Sequence, residues 1–200
     1  MKVIEQLLVS AGISPIAGVD EAGRGACAGP LVIASVVLND PFAAELAVVR
    51  DSKEIAENKR DAVFELIHQV AASVSVVIVP ATEIDARGVH AANLDGMRRA
   101  VQGLTVEPAY VLTDGYAIEG LGVPNLAVWK GDQVVVSISA ASVIAKVTRD
   151  RIMRELDAEF PQYGFAGHKG YITAAHTKAL NEHGPCAQPV SYTHLRAHET

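Results

Sequence analysis

Four acidic residues stand where a shared site can be assembled. Asp20 and Glu21 directly follow the apolar segment 15–19 and precede Ala22-Gly23-Arg24-Gly25. Asp114 closes the apolar run 109–113, and Asp150 lies inside a long helical stretch expected over 140–160. Strand ends and a packed helix can bring such groups together, whereas acids scattered over a surface rarely occupy these places. Clustered carboxylates repel one another, so cations must hold the cluster ionised. Four carboxylates balance two divalent ions, and an all-oxygen donor set suits Mg²⁺ or Mn²⁺ rather than zinc. The same residues allow a plainer account. Asp20 and Asp114 can be turn residues, and Asp150 can pair with Lys146 one helical turn earlier.

The segment 18–25, Gly18-Val19-Asp20-Glu21-Ala22-Gly23-Arg24-Gly25, sets three glycines and one arginine around the acidic pair. Glycine lets a backbone approach a ligand closely and aim its N–H groups at it. No Gly-Lys-Ser/Thr follows, so this is not a nucleoside-triphosphate loop. Acids occupy the turn that would face phosphate in a dinucleotide fingerprint, which excludes that motif too. A plain loop between strands is the alternative.

These residues need a scaffold, and the chain supplies an α/β one. Its 200 residues (21.1 kDa) suit one domain, and a composition that is 50% hydrophobic and 20% charged excludes a mainly disordered chain. The longest nearly apolar stretch, 25–38, is broken by Gly29 and Pro30 and is too short to span a bilayer. The first residues carry no export signal, so the expected location is the cytoplasm, without membrane attachment. Cys27 and Cys186 form neither a disulfide framework nor a zinc spacing. The formal charge of −6 argues against a nucleic-acid coat protein but allows a nucleic-acid enzyme with a local basic track.

Apolar spacing predicts a helix from Val3 to Gly12 and strands over 15–19, 31–38, 74–79, 109–113 and 134–138. Helices are expected after a cap at Asp51 or Ser52, from Thr82 with an interruption at Gly88, over 140–160 capped by Ser139, and over 173–183. Strands and helices mingle through one core, which implies a mixed sheet flanked by helices. Residues 189–200 break the patterning. That string resembles the translation of a sequencing-library adapter, so the expected catalytic domain is 1–188.

The segment GVDEAGRGACAGP over 18–30 resembles the signature of the bacterial type 2 ribonuclease H (ribonuclease HII) family. The resemblance continues, in order, through Asp51-Ser52-Lys53, Thr113-Asp114-Gly115, the stretch AASVIAKVTRDR over 140–151, Tyr163-Gly164-Phe165 and HKGYIT over 168–173. It implies a ribonuclease-H-like fold with a C-terminal helical segment near the site. It also implies endonucleolytic cleavage of RNA in RNA–DNA hybrids and at single ribonucleotides in duplex DNA, leaving 3′-hydroxyl and 5′-phosphate ends. The family's metal-binding acids match Asp20, Glu21, Asp114 and Asp150. Its substrate-reading residues match Gly23, Arg24, Gly25 and Tyr171, and Lys53 and Lys146 match positions near the site. Ala26-Cys27 and Ile172 depart from the common family pattern without touching a ligand group.

Two divalent ions roughly 3.5–4 Å apart suit phosphodiester hydrolysis, with Asp20 expected to bridge them. Substrate choice must turn on the 2′-hydroxyl. Lys53, Lys146, Arg149, Lys169 and Lys178 are candidate phosphate contacts. Trp129 is expected in the core, His176 on an exposed helix face, His168 facing nucleic acid, and Cys27 as a small buried residue without a base partner. A monomer is expected.

Overall fold

The computed structural model describes residues 3–49 and 51–186. The segment 189–200, set apart above, and the boundary at 188 lie outside the described residues.

Five strands form one sheet: β1 (Ile16–Ala22), β2 (Leu31–Leu38), β3 (Ala71–Val79), β4 (Tyr110–Asp114) and β5 (Asn125–Val128), in the order β3-β2-β1-β4-β5. β2 runs antiparallel to β1 and β3, whereas β4 lies parallel to β1 and β5 parallel to β4. The C-terminal ends of β1, β4 and β5 therefore share one end of the sheet. That single topological fact puts Asp20, Glu21, Asp114 and whatever follows Val128 in one neighbourhood.

Helices cover both faces: α1 (Val3–Ser10), α2 (Glu57–Val70), α3 (Ala81–Arg87), α4 (Val89–Gln102), α5 (Gly131–Val134), α6 (Val136–Glu159), α7 (Phe165–His168) and α8 (Ala174–His183). β2 is buried at every position, as its continuous aliphatic sequence requires of a central strand. Val32, Ala34 and Val36 pack on one face against Ile67 of α2 and Ala140, Val143 and Ile144 of α6. Leu31, Ile33 and Val37 pack on the other against Ala92, Met97 and Ala100 of α4. α6 lies so close to β1 that a Cβ at Gly18 would sit 2.1 Å from the Ser137 carbonyl carbon. Gly18 is what lets the helix reach the strand carrying Asp20.

Two expectations change. The predicted strand 134–138 is instead the end of α5 and the start of α6. Val135, Val136 and Ile138 are all buried, which hides helical periodicity, and the helix start is stabilised from a distance. The buried Glu5 carboxylate accepts hydrogen bonds from the Val136 and Ser137 N–H groups at 2.7 and 3.1 Å. An acid there satisfies orphan donors and complements the helix dipole. Ser139, the expected cap, lies one turn inside α6 and donates to the Asp132 and Val135 carbonyls. The second change concerns α2, which starts at Glu57. Asp51 does not cap it; its carboxylate accepts the Lys53 N–H at 2.9 Å, closing a local turn. Among the described residues, no helix is long and apolar enough to cross a membrane.

Candidate active site

Alternation along β1 sends neighbouring side chains to opposite faces of the sheet. Asp20 points to the α6 side, toward the Ser142 hydroxyl, and Glu21 lies toward Asn93 of α4. Asp114, at the end of the adjacent parallel strand, accepts the Gly131 N–H at 2.7 Å. That bond draws the start of α5 inward and brings Asp132 with it. Carboxylate oxygens of Asp20, Asp114 and Asp132 lie within 4.8 Å of one another. Asp132 is the functional candidate that the sequence reading missed, because it precedes a segment taken for a strand. The signal was its place, 18 residues after Asp114 in a Lys-Gly-Asp turn.

The electrostatics are those of a cation site. Burial, then the charges of Glu21 and Asp114, push the Asp20 carboxyl well above the ordinary range. Burial and Asp114 raise Glu21 to about 7, although Arg24, Lys53 and Asn93 pull it back. Asp114 and Asp132 are also raised, mainly by burial. Glu21 Oε2 is a buried acceptor with no hydrogen-bond partner. Three converging aspartates, an orphaned carboxylate oxygen and an oxygen-only donor set fit a hard divalent cation. Among the described residues, Lys53 Nζ supplies balancing charge, 3.7 Å from Asp132 Oδ2 and 4.0 Å from Asp51 Oδ1. Burial opposes its charge, but these acids outweigh that and raise its pKa.

Of the ten residues expected at the site, all but Asp150 line one cavity of about 450 Å³. Asp150 is not among the converging carboxylates. It is buried on α6, with Lys146 Nζ at 2.6 Å from one oxygen and Arg60 Nη1 at 3.7 Å from the other. The pairing with Lys146 left open by the helical spacing is therefore the one observed. It has a positional consequence. Arg60 donates to the Ser52 carbonyl at 2.7 Å, and Ser142 donates to the Ser52 hydroxyl at 2.9 Å. Asp150 thus helps fix both Lys146 and the turn bearing Lys53 at the cavity wall. Burial lowers the Lys146 pKa, while the bond to Asp150 supports its charge.

The opposite wall is built from Gly23–Gly25 and Tyr171. A Cβ at Gly25 would meet the Tyr171 ring at 4.0 Å, so the loop and the ring lie side by side along the cavity wall. Both are held by Arg149, which is fully buried and not the phosphate contact expected above. Its guanidinium donates to the carbonyls of Pro30, Lys169 and Ala28 at 2.9, 2.9 and 2.8 Å. Gly23 (φ +103°) passes directly over it; a Cβ there would lie 2.2 Å from Arg149 Nε. Lys169 also turns inward, bonding the Ala166 carbonyl and lying 3.5 Å from Glu57. Lys178 is exposed and 3.7 Å from Glu182 on its own helix.

The histidines differ from expectation as well. His176 is buried, its ring stacked on His168 with centroids 4.4 Å apart, and its Nδ1 lies 3.1 Å from the Tyr171 carbonyl. His168 bonds the Tyr163 carbonyl at 2.8 Å. These rings therefore brace the Tyr171 segment from behind. Cys27 Sγ lies 3.4 Å from His176 Nδ1, but that nitrogen carries the proton it donates to the Tyr171 carbonyl, so the thiol has no base there, as expected. Burial pushes the thiol up to about 11 and the imidazole down, so the neutral pair is favoured and no thiolate nucleophile is supplied. Trp129, expected in the core, is 82% exposed.

A sequence profile of the family described as ribonuclease HII matches residues 17–198. Ribonuclease HII of Mycolicibacterium smegmatis is 52% identical over 197 residues, covering 98% of this chain and 72% of that protein. Ribonuclease HII of Acidothermus cellulolyticus is 56% identical over 184 residues, covering 92% of this chain and 60% of that protein. Among solved structures, the ribonuclease H2 from Pyrococcus horikoshii OT3 superposes with a TM-score of 0.74 at 28% identity, covering 88% of this chain and 90% of that one. The sheet order, the converging carboxylates and these likenesses agree: the chain belongs to the ribonuclease HII family of metal-dependent nucleases.

Proposed function

We propose that this chain is an endoribonuclease that hydrolyses the RNA strand of RNA–DNA hybrids and the backbone at single ribonucleotides embedded in duplex DNA, leaving 3′-hydroxyl and 5′-phosphate ends. The observation that carries the reading is the convergence of Asp20, Asp114 and Asp132 within 4.8 Å beside a cavity walled by Gly23–Gly25 and Tyr171. Mg²⁺ or Mn²⁺ would be held by these three aspartates with Glu21. Two such ions, when bound, supply an activated water and a counter-charge for the departing 3′ oxygen.

The chain's own residues do the selecting. The Gly23–Gly25 backbone approaches the ribose because no side chain stands in its way, and the half-exposed Tyr171 ring packs on the neighbouring sugar. Arg24, Lys53 and Lys146 offset phosphate charge around an acidic centre. Residues 1–188 are read as the catalytic unit, acting as a monomer in the cytoplasm, although the family match itself runs to 198.

The test is cleavage of a labelled DNA duplex holding one ribonucleotide, with Mg²⁺ or Mn²⁺ titrated in and both product ends analysed. Cleavage should require the cation, and Asp20→Asn should abolish it while duplex binding persists. Cleavage that proceeds equally in a chelator, or its absence with both metals, overturns the reading.

A further inference from the structure

We propose that Trp129 and Lys130 form a contact surface for the sugar–phosphate backbone of the duplex substrate, on the rim of the carboxylate centre; this rests on the nuclease reading above. The indole is 82% exposed, the most exposed large apolar side chain among the described residues. It is not on a loose loop. The preceding residue, Val128, is buried and pairs with Asp114 in the β4–β5 register. The following pair is also fixed, because Gly131 donates to Asp114 at 2.7 Å and Asp132 joins the converging carboxylates. Trp129 and Lys130 thus bridge two anchors of the same site while both side chains project into solvent.

The backbone enforces this projection. Lys130 has φ 52° and ψ 45°, the left-handed region that a side-chain-bearing residue seldom adopts. Glycine follows at 131 instead, where a Cβ would meet Ile138 Cδ1 at 2.5 Å. The turn therefore keeps glycine for close packing under the site and spends the strained conformation on a cation at its rim.

The chemistry suits one strand of a nucleic acid. A flat indole packs on a sugar or base face regardless of sequence, and an ammonium beside it meets a phosphate. Adjacent strands are about 4.8 Å apart, which puts the end of β5 about 10 Å from Asp20 on β1. That is on the order of three steps along one strand at about 3.4 Å each. Tyr171 lines the cavity beside the β1–β2 loop, and Trp129 lies outside it, just past the end of β5. An incoming duplex would rest an aromatic ring on each side of the scissile phosphate. The carboxylate centre repels phosphate until cations fill it, so a rim that attracts the backbone independently of metal has a clear use.

Trp129 is the single tryptophan of the chain, so its fluorescence reports this position alone. The experiment titrates the full-length chain, in chelator to prevent cleavage, with a duplex holding one ribonucleotide. Binding is followed separately by anisotropy of a labelled duplex. At saturation, indole emission should change by a quarter or more, and acrylamide quenching should fall at least twofold. Trp129→Ala, an exposed and therefore foldable variant, should weaken Kd about tenfold with kcat at saturation unchanged. Lys130→Gln should lower the slope of log K against log salt by about one. Saturated binding with unchanged emission and quenching, or an unaltered Kd for Trp129→Ala, overturns the proposal. An absence of any anisotropy change in chelator, with the same duplex still cleaved in Mg²⁺, overturns this proposal alone, whereas absence of both binding and cleavage defeats the nuclease reading and this proposal with it.

Discussion

Lys146 Nζ donates a 2.6 Å hydrogen bond to Asp150 Oδ1 one turn along α6, and the second carboxylate oxygen faces Arg60 at 3.7 Å. A carboxylate with a cation on each oxygen is already neutralised, whereas Asp20, Asp114 and Asp132 face one another. On the reading proposed above, this difference separates a structural acid from metal-binding ones. Asp132→Asn should reduce Mg²⁺-dependent cleavage by at least a thousandfold and weaken Mg²⁺ binding by calorimetry, with little loss of thermal stability. Asp150→Asn should do the reverse. Breaking a buried pair costs about 3–5 kcal/mol, so its melting temperature should fall clearly while Mg²⁺ affinity stays near that of the parent. Equal loss of metal binding in both variants would contradict the assignment.

The pH dependence of stability without metal follows from the raised carboxyls. Glu21 titrates near 4.5 when unfolded and at about 7 in the native chain, and Asp20 is shifted the same way. The native state therefore holds protons that the unfolded chain has released. The stability these groups contribute is fully present below about pH 4.5 and is lost as the pH climbs through about 7. His176 acts oppositely, because burial lowers its pKa and its contribution is lost as the pH falls. The comparison of the parent with Glu21→Gln in chelator cancels that term. Between pH 5 and 7.5 the parent should lose stability relative to the variant. Added Mg²⁺ should stabilise the parent increasingly as the pH rises, since it favours the ionised form. A parent-minus-variant difference that is flat or of opposite sign would refute this account.

Much of this was legible beforehand, and the failures have local causes. β2 is continuous in β-branched and aliphatic residues and was placed at its observed bounds. Asp20, Glu21 and Asp114 stand out in the sequence because apolar runs change abruptly to charged residues there. Asp132 was hidden because the valines after it look like a strand when only neighbours are considered. The Glu5 carboxylate that stabilises the start of α6 lies 131 residues away from Val136. The exposure of Trp129 was equally unreadable, since hydrophobicity predicts burial and takes no account of a turn pinned at both ends. His176 and Arg149 were misplaced for the converse reason. Each is polar, so a surface position is the default, yet Arg149 is satisfied by carbonyls remote in sequence, and His176 by the Tyr171 carbonyl five residues back and a ring stack that only the folded chain forms.

Arg149 carries the last prediction. Its three hydrogen bonds join the segment before β2 to the segment before Tyr171, and its guanidinium carbon lies 5.6 Å from the centre of the Tyr171 ring. The two segments also meet directly, with the Cys27 and Ala28 N–H groups donating to the Gly170 carbonyl at 2.8 and 2.9 Å. Lysine keeps the charge but cannot direct three donors in a planar fork. Arg149→Lys should therefore cost about 2–4 kcal/mol of stability, because buried carbonyls lose charged partners. A merely structural role would stop there. If Arg149 positions Tyr171, then well below the melting temperature the variant should also cleave a single embedded ribonucleotide about tenfold more slowly, with Mg²⁺ affinity unchanged. Combined with Tyr171→Ala, it should add little to the loss that Tyr171→Ala causes alone, since the ring it holds is already gone. Fully additive losses in the double variant would show that Arg149 supports the fold without placing the tyrosine.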